Sequence, residues 1–318
     1  MPGPIARLLQ RWRDRRAGLP RAGPLPLAEL ARRIGASESD LRRVAISYRA
    51  FQVPKRRGGT RTIVAPAPPL KAMQRRILRK LLAGLAAHPC ATGFEAGHSI
   101  VINALPHVGR EIVIRLDLKD FFTSTTALRV ESYFRTIGWD AEAAALLTRL
   151  CTHDGSLPQG APTSPRLSNL VNYRLDARLL VLARSRGAAY SRYADDITFS
   201  GAALAPHTGR RNPKTLLGMD LPPDRVNDLI HAVKRVVESE GYVLHASKKL
   251  RIMRRGDRKL VTGLVVNEKV DLPRATRRRL RAVEHHLATG RPSTLTAEQL
   301  QGWHALRAMI AAQASGSR

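Results

Sequence analysis

Residues 190–200 read YSRYADDITFS. Two short runs rich in β-favouring residues flank Ala194-Asp195-Asp196, and Ile197 and Phe199 fall on one face of the returning segment. The stretch therefore predicts a β-hairpin with two adjacent carboxylates near its turn. A third acid arrives in a similar way. Residues 111–118, EIVIRLDL, set Ile112, Ile114 and Leu116 against Val113, Arg115 and Asp117, the period of a strand that delivers Asp117 at its end. Any one of these acids alone would read as an ordinary surface residue. Together they repel one another and are costly to bury as anions, so such a cluster calls for a cation. Magnesium suits it, being a hard ion that takes a few carboxylates and completes its shell with water and phosphate oxygens. Two such ions can activate an attacking hydroxyl and neutralise a leaving pyrophosphate.

The rest of the chain supplies the opposite charge. Across 318 residues, 54 Lys and Arg stand against 25 Asp and Glu, a net charge of +29 that points to a polyanionic partner, nucleic acid before any other. A GC-rich genome would account for Arg in place of Lys but not for the shortage of acids. With 43% hydrophobic residues the chain can fill one large or two modest cores. Cys90 and Cys151 have no paired spacing, so neither a disulfide framework nor a zinc site is expected, and the compartment read from them is the reducing cytoplasm. The N-terminus, MPGPIARLLQRWRDRR, lacks an apolar stretch behind its basic residues, and no run is long enough to span a bilayer, so no membrane association is expected.

Outward from the acids, the elements follow from periodicity and turn chemistry. A first helical stretch runs through about Arg16 into the Pro/Gly-rich link AGLPRAGPLP. Residues 27–45 predict two short helices around Gly35-Ala36-Ser37, a pair that packs on the next domain rather than one that reads DNA. Tyr48 to Ala65 predicts a hairpin turned at Gly58-Gly59, followed by a helix carrying Leu70, Met73, Ile77 and Leu81. One long helix is expected after Pro165, with Leu167, Leu170, Val171 and Leu175 in the core. Residues 201–223 form a surface loop, and a helix from Asp224 with Val226, Leu229, Ile230, Val233 and Val237 inward stops at Gly241. Strands are expected at Tyr242 to Leu244 and Leu260 to Val266, then an Arg-rich helical tail from Pro273 with a disordered end, ASGSR.

Tyr193-Ala194-Asp195-Asp196 has the Y-x-D-D form of a reverse transcriptase's central hairpin, and LDLKDFF, residues 116–122, resembles the strand bearing that family's first catalytic aspartate. Between them, Leu157-Pro158-Gln159-Gly160 and the following APTSP look like the segment that contacts template and incoming nucleotide, although locally they read as a Pro/Gly turn before a helix. Asn103-Ala104-Leu105-Pro106-His107 matches the N-A-x-x-H element, and Val261-Thr262-Gly263 the V-T-G element, of retron enzymes. From about Tyr48 to the helical tail the chain resembles the retron-type reverse transcriptases.

That resemblance implies an α+β, right-hand polymerase fold. It comprises an N-terminal helical region (1–47), fingers (48–110), a palm of antiparallel sheet and helices with fingers-like insertions (111–271), and a short helical thumb with a flexible C-terminus (272–318). Asp117, Asp195 and Asp196 are then catalytic. Asp117 and Asp195 bridge two Mg2+ ions, which Mn2+ can replace, with Asp196 beside them and the Leu118 carbonyl as a further ligand. Lys55 and Arg61 clamp the triphosphate, while Asp120, Phe121, Gln159 and Gly160 line the nucleotide site. Phe122 takes the place of the steric gate against a ribose 2′-hydroxyl; since neighbours in an extended chain face opposite ways, Phe121 should not share that role. Lys248 resembles the lysine that protonates pyrophosphate, though Lys249 is adjacent and His245 replaces the family's asparagine. Asn103, His107, Val261, Thr262 and Gly263 fall where retron enzymes recognise their RNA.

The implied partners are deoxynucleoside triphosphates, a cognate structured non-coding RNA, its branched RNA-linked DNA product, and an effector or toxin protein in antiphage defence. No RNase H region is visible, so template removal would fall to another nuclease. Two other readings compete: a group II intron or diversity-generating reverse transcriptase, which would lack the retron elements, and an RNA-binding scaffold of a toxin-antitoxin-like complex. A catalytically idle scaffold would gain nothing from three carboxylates facing phosphates.

Overall fold

The computed structural model describes residues 23–55, 58–202, 204, 225–245 and 250–315. In chain order its first elements are α1 (Leu27–Ile34), α2 (Glu38–Arg43), β1 (Tyr48–Pro54), β2 (Thr60–Pro66), α3 (Pro68–Ile77), α4 (Ile100–Ala104) and β3 (Ile112–Asp117). Then come α5 (Ala127–Thr136), α6 (Ala141–Cys151), α7 (Ser164–Val171), α8 (Tyr173–Ser185), β4 (Ala189–Tyr193) and β5 (Asp196–Gly201). The last are α9 (Arg225–Ser239), β6 (Arg251–Met253), β7 (Leu260–Val261), β8 (Leu264–Val265), α10 (Arg274–Ala288) and α11 (Ala297–Ser315). They form two compact units, one from residues up to 89 with 118–181 and 235–243, the other from 90–117, 182–234 and 244 onward.

The first unit is mostly helical. Gly35, in the left-handed region at φ +68, closes α1, and the Ser37 hydroxyl accepts the Asp40 N–H to open α2. Their Leu27, Leu30, Ile34 and Leu41 join one core with Leu70, Met73 and Ile77 of α3 and Leu147 and Leu150 of α6, so the helix pair packs on its neighbour as expected. The apolar series of α3 continues to Leu81 through a π-helical turn, Leu78–Leu82. β1 and β2 form the expected hairpin, with Phe51 opposite Ile63; the Lys55 N–H bonds the Gly59 carbonyl at 2.8 Å across a loop in which Gly58 and Gly59 both have positive φ.

Behind Pro165 the structure departs from the single helix expected. Helices α7 and α8 are separated at Asn172 (φ −90, ψ 13). The buried Asn172 amide donates to the Ser168 carbonyl at 2.7 Å and to the Tyr242 hydroxyl at 2.7 Å, while its oxygen accepts Arg129 at 2.9 Å. Apolar periodicity continues through the break and so cannot reveal it. Val171, expected in the core, is only partly buried.

The second unit is built on a four-stranded antiparallel sheet in the order β4-β5-β3-β6. β3 is central and buried on both faces, Val113 as fully as Ile114, so its alternation marks strand rather than an inner and an outer side. β6 was not legible in the sequence, and the strand expected at Tyr242 to Leu244 does not form; Tyr242 is instead buried in the first unit. The expected strand from Leu260 to Val266 folds back on itself as β7 and β8, turning at Thr262 (φ +47) and Gly263 (φ +85), the pair of positive φ angles of a type I′ turn. Helix α9 ends before Gly241 (φ +80) and the tail is helical, as expected, with Ala314 and Ser315 still inside α11. The N-terminal helical stretch, almost all of the 201–223 loop and the last three residues lie outside the described residues.

Tyr242 is a polar keystone of the first unit. Its hydroxyl lies 2.6 Å from the Thr125 hydroxyl and takes the Asn172 amide, and the Arg129 guanidinium sits 4.6 Å from its ring centroid. Removing the hydroxyl strands two buried polar partners. Tyr242→Phe should lower unfolding free energy by about 1–3 kcal/mol in urea titrations, whereas a loss under about 0.3 kcal/mol would show that water satisfies the site.

Candidate active site

The acidic hairpin turns in two residues. Tyr193 pairs with Asp196, leaving Ala194 and Asp195 at the tip, with Ala194 in the left-handed region at φ +56. Arg192, wholly buried, donates from Nη1 to the Ala194 carbonyl at 3.0 Å and so braces the strained residue. From the other side comes the segment Cys90 to Phe94: the Arg192 N–H bonds the Cys90 carbonyl at 2.8 Å, and the Thr92 N–H the Arg192 carbonyl at 2.9 Å. Gly93 is needed there, because a Cβ would stand 2.7 Å from the Ala194 nitrogen.

Asp117 ends β3 directly opposite Asp196 of β5, so the two predicted acids occupy a cross-strand pair, with Asp195 next in the turn. Asp117 is nearly buried, and its carbonyl accepts the His245 N–H at 2.8 Å. Arg115, two residues earlier on the same face of β3, donates from Nη2 to both Asp196 oxygens at 3.1 and 3.2 Å. Sequence reading missed the roles of Arg115 and Arg192. The signal was available: each is a lone cation inside an otherwise apolar strand pattern, two residues before an acid or the turn it stabilises.

This donor set consists of carboxylate oxygens on paired strands, the chemistry that a hard divalent cation takes. Among the described residues no three acidic, His or Cys side chains are grouped to hold a metal ion, and Arg115 is the positive charge at Asp196.

The residues expected at the nucleotide belong to the first unit. The Val64 N–H of β2 bonds the Gln159 carbonyl at 2.8 Å, and a Cβ on Gly160 (φ +136) would stand 2.8 Å from Ile63 Cγ2 and 2.9 Å from the Val64 oxygen. Gln159-Gly160 is thereby fastened to the strand that holds Arg61. Lys55 and Arg61 are exposed on this hairpin. Phe121 and Phe122 do not lie in extended chain as expected. Residues 119–124 form turns, with Asp120 at φ +48 and its carbonyl accepting the Ser124 N–H at 2.8 Å. Phe121 is buried, its ring 5.7 Å from that of Tyr242, while Phe122 is half-buried at the rim of the core. The two differ in exposure because of the turn, not through strand alternation. Lys248 and Lys249 lie outside the described residues.

Over residues 53–249 the sequence matches the reverse transcriptase (RNA-dependent DNA polymerase) family. It is 36% identical over 305 residues to the retron Ec86 reverse transcriptase of Escherichia coli, covering 94% of this chain and 88% of that one. The chain belongs to the retron-type reverse transcriptases. Two relatives from Myxococcus xanthus, the retron Mx162 and Mx65 reverse transcriptases, are 39% and 40% identical over 86% and 82% of this chain, which spans 61% and 62% of their lengths. The α+β architecture, with acids on a central antiparallel sheet, is that of the right-hand fold of this family, whose members use divalent metal ions.

In this retron-type reverse transcriptase the Asn103–His107 element lies against the acidic hairpin, and the Val261–Gly263 element lies against α4. Asn103 of α4 accepts the Thr92 hydroxyl at 2.8 Å, and its carbonyl accepts the Ser191 hydroxyl at 3.3 Å. His107 bridges the hairpin from below, Nε2 at 2.8 Å from Ser191 of β4 and Nδ1 at 2.7 Å from Ser200 of β5. Thr262 donates to the Ile100 carbonyl at 2.9 Å, and Val261 packs in one core with Val101 and Ala104. The Ser99 hydroxyl caps α4 and donates to Gln313 of α11 at 2.5 Å. Asn103, His107 and Val261 are buried and hold the scaffold, leaving Gly263 exposed and Thr262 partly so at the β7–β8 turn.

Burial pushes His107 down to about 3, with Arg110 adding to the effect. The imidazole is neutral at ordinary pH, one nitrogen donating and the other accepting between the two serines. An unfolded histidine protonates near 6.5. Between those values the unfolded chain binds the additional proton, so stability falls as pH drops from about 6.5 toward 3. His107→Gln should remove this part of the acid limb: between pH 6.5 and 5 the wild type should lose about 2 kcal/mol more than the variant. Parallel stability curves would contradict it.

Proposed function

We propose that this protein is an RNA-directed DNA polymerase that uses Mg2+ at Asp117, Asp195 and Asp196 to extend DNA on an RNA template. The observation that supports this best is the cross-strand pairing of Asp117 with Asp196, with Asp195 beside them in a braced turn. When bound, two Mg2+ ions at these carboxylates and the Leu118 carbonyl would make the primer hydroxyl a better nucleophile and neutralise the departing pyrophosphate. Asp117, Asp195 and Asp196 would hold the ions, and Arg115 orients Asp196 through both of its carboxylate oxygens. Arg61, with Lys55, holds the triphosphate through the forked donors of a guanidinium, and Gln159-Gly160 keeps that hairpin in place. Asp120 and Phe121 shape the turn that presents Phe122 to the sugar. Either Lys248 or Lys249 serves as the acid for pyrophosphate.

The substrates in this reading are deoxynucleoside triphosphates and a cognate structured RNA, part of which is copied into a branched, RNA-linked single-stranded DNA. RNA recognition specific to retrons falls to the exposed β7–β8 turn, which Thr262 and Val261 fasten to α4. The family resemblance extends the proposal to a cytoplasmic antiphage system in which the enzyme and its product restrain an effector protein. No helix among the described residues is long and apolar enough to cross a membrane, and the net charge of +29 fits an RNA partner.

Two measurements bear on the site. Asp195→Ala and Asp196→Ala should each cut Mg2+-dependent DNA synthesis by roughly a hundredfold or more while RNA binding in a filter assay stays within about twofold. Full synthesis by either variant would remove the assignment. Phe122→Val should raise ribonucleotide incorporation relative to deoxynucleotide by about tenfold or more, since a ring excludes a 2′-hydroxyl by overlap. If both nucleotides lose equally, the ring is only packing.

A further inference from the structure

Arg115 stands among groups that a neutral side chain would suit better. It lies two residues before Asp117, and so on the same face of β3, opposite Thr198 of β5 on one side and Arg251 of β6 on the other. A second cation directly across the strands is destabilising, and Arg251 is exposed there. The Arg115 Nε is buried without an acceptor, which adds a further cost. Its compensation is Asp196: one nitrogen, Nη2, donates to both carboxylate oxygens at 3.1 and 3.2 Å. These bonds are longer than the roughly 2.8 Å of a strong charge-assisted bond. A single shared donor, in place of the two parallel bonds of a guanidinium fork, offsets the charge of Asp196 while leaving lone pairs on both oxygens.

We propose that Arg115 is a resident countercharge that holds down the divalent-cation affinity of the acidic hairpin, so that DNA synthesis demands a higher Mg2+ concentration than the carboxylates alone would set. The inference rests on the polymerase reading above, in which Asp196 is one of the residues that hold the ions. Arg115 acts on that carboxylate in two opposed ways. It orients Asp196, which favours a cation, and it offsets the charge, which disfavours one. Magnitudes decide between them. With side chains 26% and 33% exposed, the pair is only partly screened by water. A unit charge beside a bound ion then changes its affinity by roughly tenfold or more. Freeing one carboxylate rotor costs only about two- to threefold. The charge outweighs the grip, and Arg115 acts through Asp196 as a positioning residue that sets the metal requirement.

The test is a Mn2+ titration of the full chain without nucleic acid, with free Mn2+ read by electron paramagnetic resonance, beside the Mg2+ concentration that half-saturates DNA synthesis. Arg115→Gln and Arg115→Met remove the charge, and Arg115→Lys keeps it without the guanidinium plane. The two neutral variants should bind Mn2+ about fivefold more tightly than the wild type and need about fivefold less Mg2+ for half-maximal synthesis, while the Lys variant stays within about twofold on both. Mg2+ should also raise the thermal midpoint of the neutral variants more than that of the wild type, because the cation replaces the lost countercharge. Unchanged or weaker Mn2+ binding in the neutral variants, or a Lys variant that binds as they do, would overturn the inference and leave the polymerase reading standing. So would neutral variants that fold neither with nor without Mg2+, since the arginine would then be purely structural. A wild type that binds no Mn2+ and extends no primer on an RNA template would overturn both.

Discussion

Asp117 and Asp196 face each other across two paired strands, and much of the second unit can be understood as the means of keeping them there. Two carboxylates at this separation repel, and a slip of one residue between β3 and β5 would send Asp196 to the opposite face of the sheet. Register and charge must therefore be controlled together. Arg115 supplies the charge from within β3, gripping both oxygens of Asp196. His107, whose two ring nitrogens engage Ser191 of β4 and Ser200 of β5 at once, ties the two strands of the acidic hairpin together. Arg192 and Gly93 then secure the turn itself, one through the Ala194 carbonyl and the other by close approach.

The same logic explains why the marker residues of retron enzymes are buried here. A hairpin that presents acids to a polyanion cannot rely on its exposed side for support, so its bracing comes from behind. Asn103 and His107 reach it from α4 and the turn that follows, while Thr262 and Val261 fasten that helix to the β7–β8 turn. In the first unit a comparable economy joins Gln159-Gly160 to the Arg61 strand and gathers Thr125, Arg129 and Asn172 around the Tyr242 hydroxyl and ring.

What could be read from sequence was whatever depends on neighbours along the chain. The Y-A-D-D hairpin, the strand ending in Asp117, the helix pair around Gly35 and the glycine turn at 58–59 all follow from local periodicity and turn chemistry, and they formed as expected. The failures share a cause in partners distant in sequence. At the break between α7 and α8 the Asn172 amide is held by the Tyr242 hydroxyl, 70 residues later in the chain. β6 is a three-residue strand defined by pairing with β3, not by its own pattern. Asn103 and His107 carry a family signature, yet only the fold shows that their polar atoms are turned onto Ser191, Ser200 and Thr92 rather than outward. Phe121 and Phe122 were assigned to extended chain because the strand pattern runs up to them, whereas Asp120 in the left-handed region ends it.

The central claim is that the carboxylates of the braced hairpin work through a divalent cation to copy RNA into DNA. The most direct measurement is DNA synthesis by the wild-type protein on an RNA template as Mg2+ is titrated from zero in the presence of a fixed low level of chelator. The account predicts no incorporation until free Mg2+ appears, a rise to a plateau, and full reversal when excess chelator is added. Synthesis that persists without free divalent metal, or none at any Mg2+ or Mn2+ concentration on a primed RNA template, would contradict it.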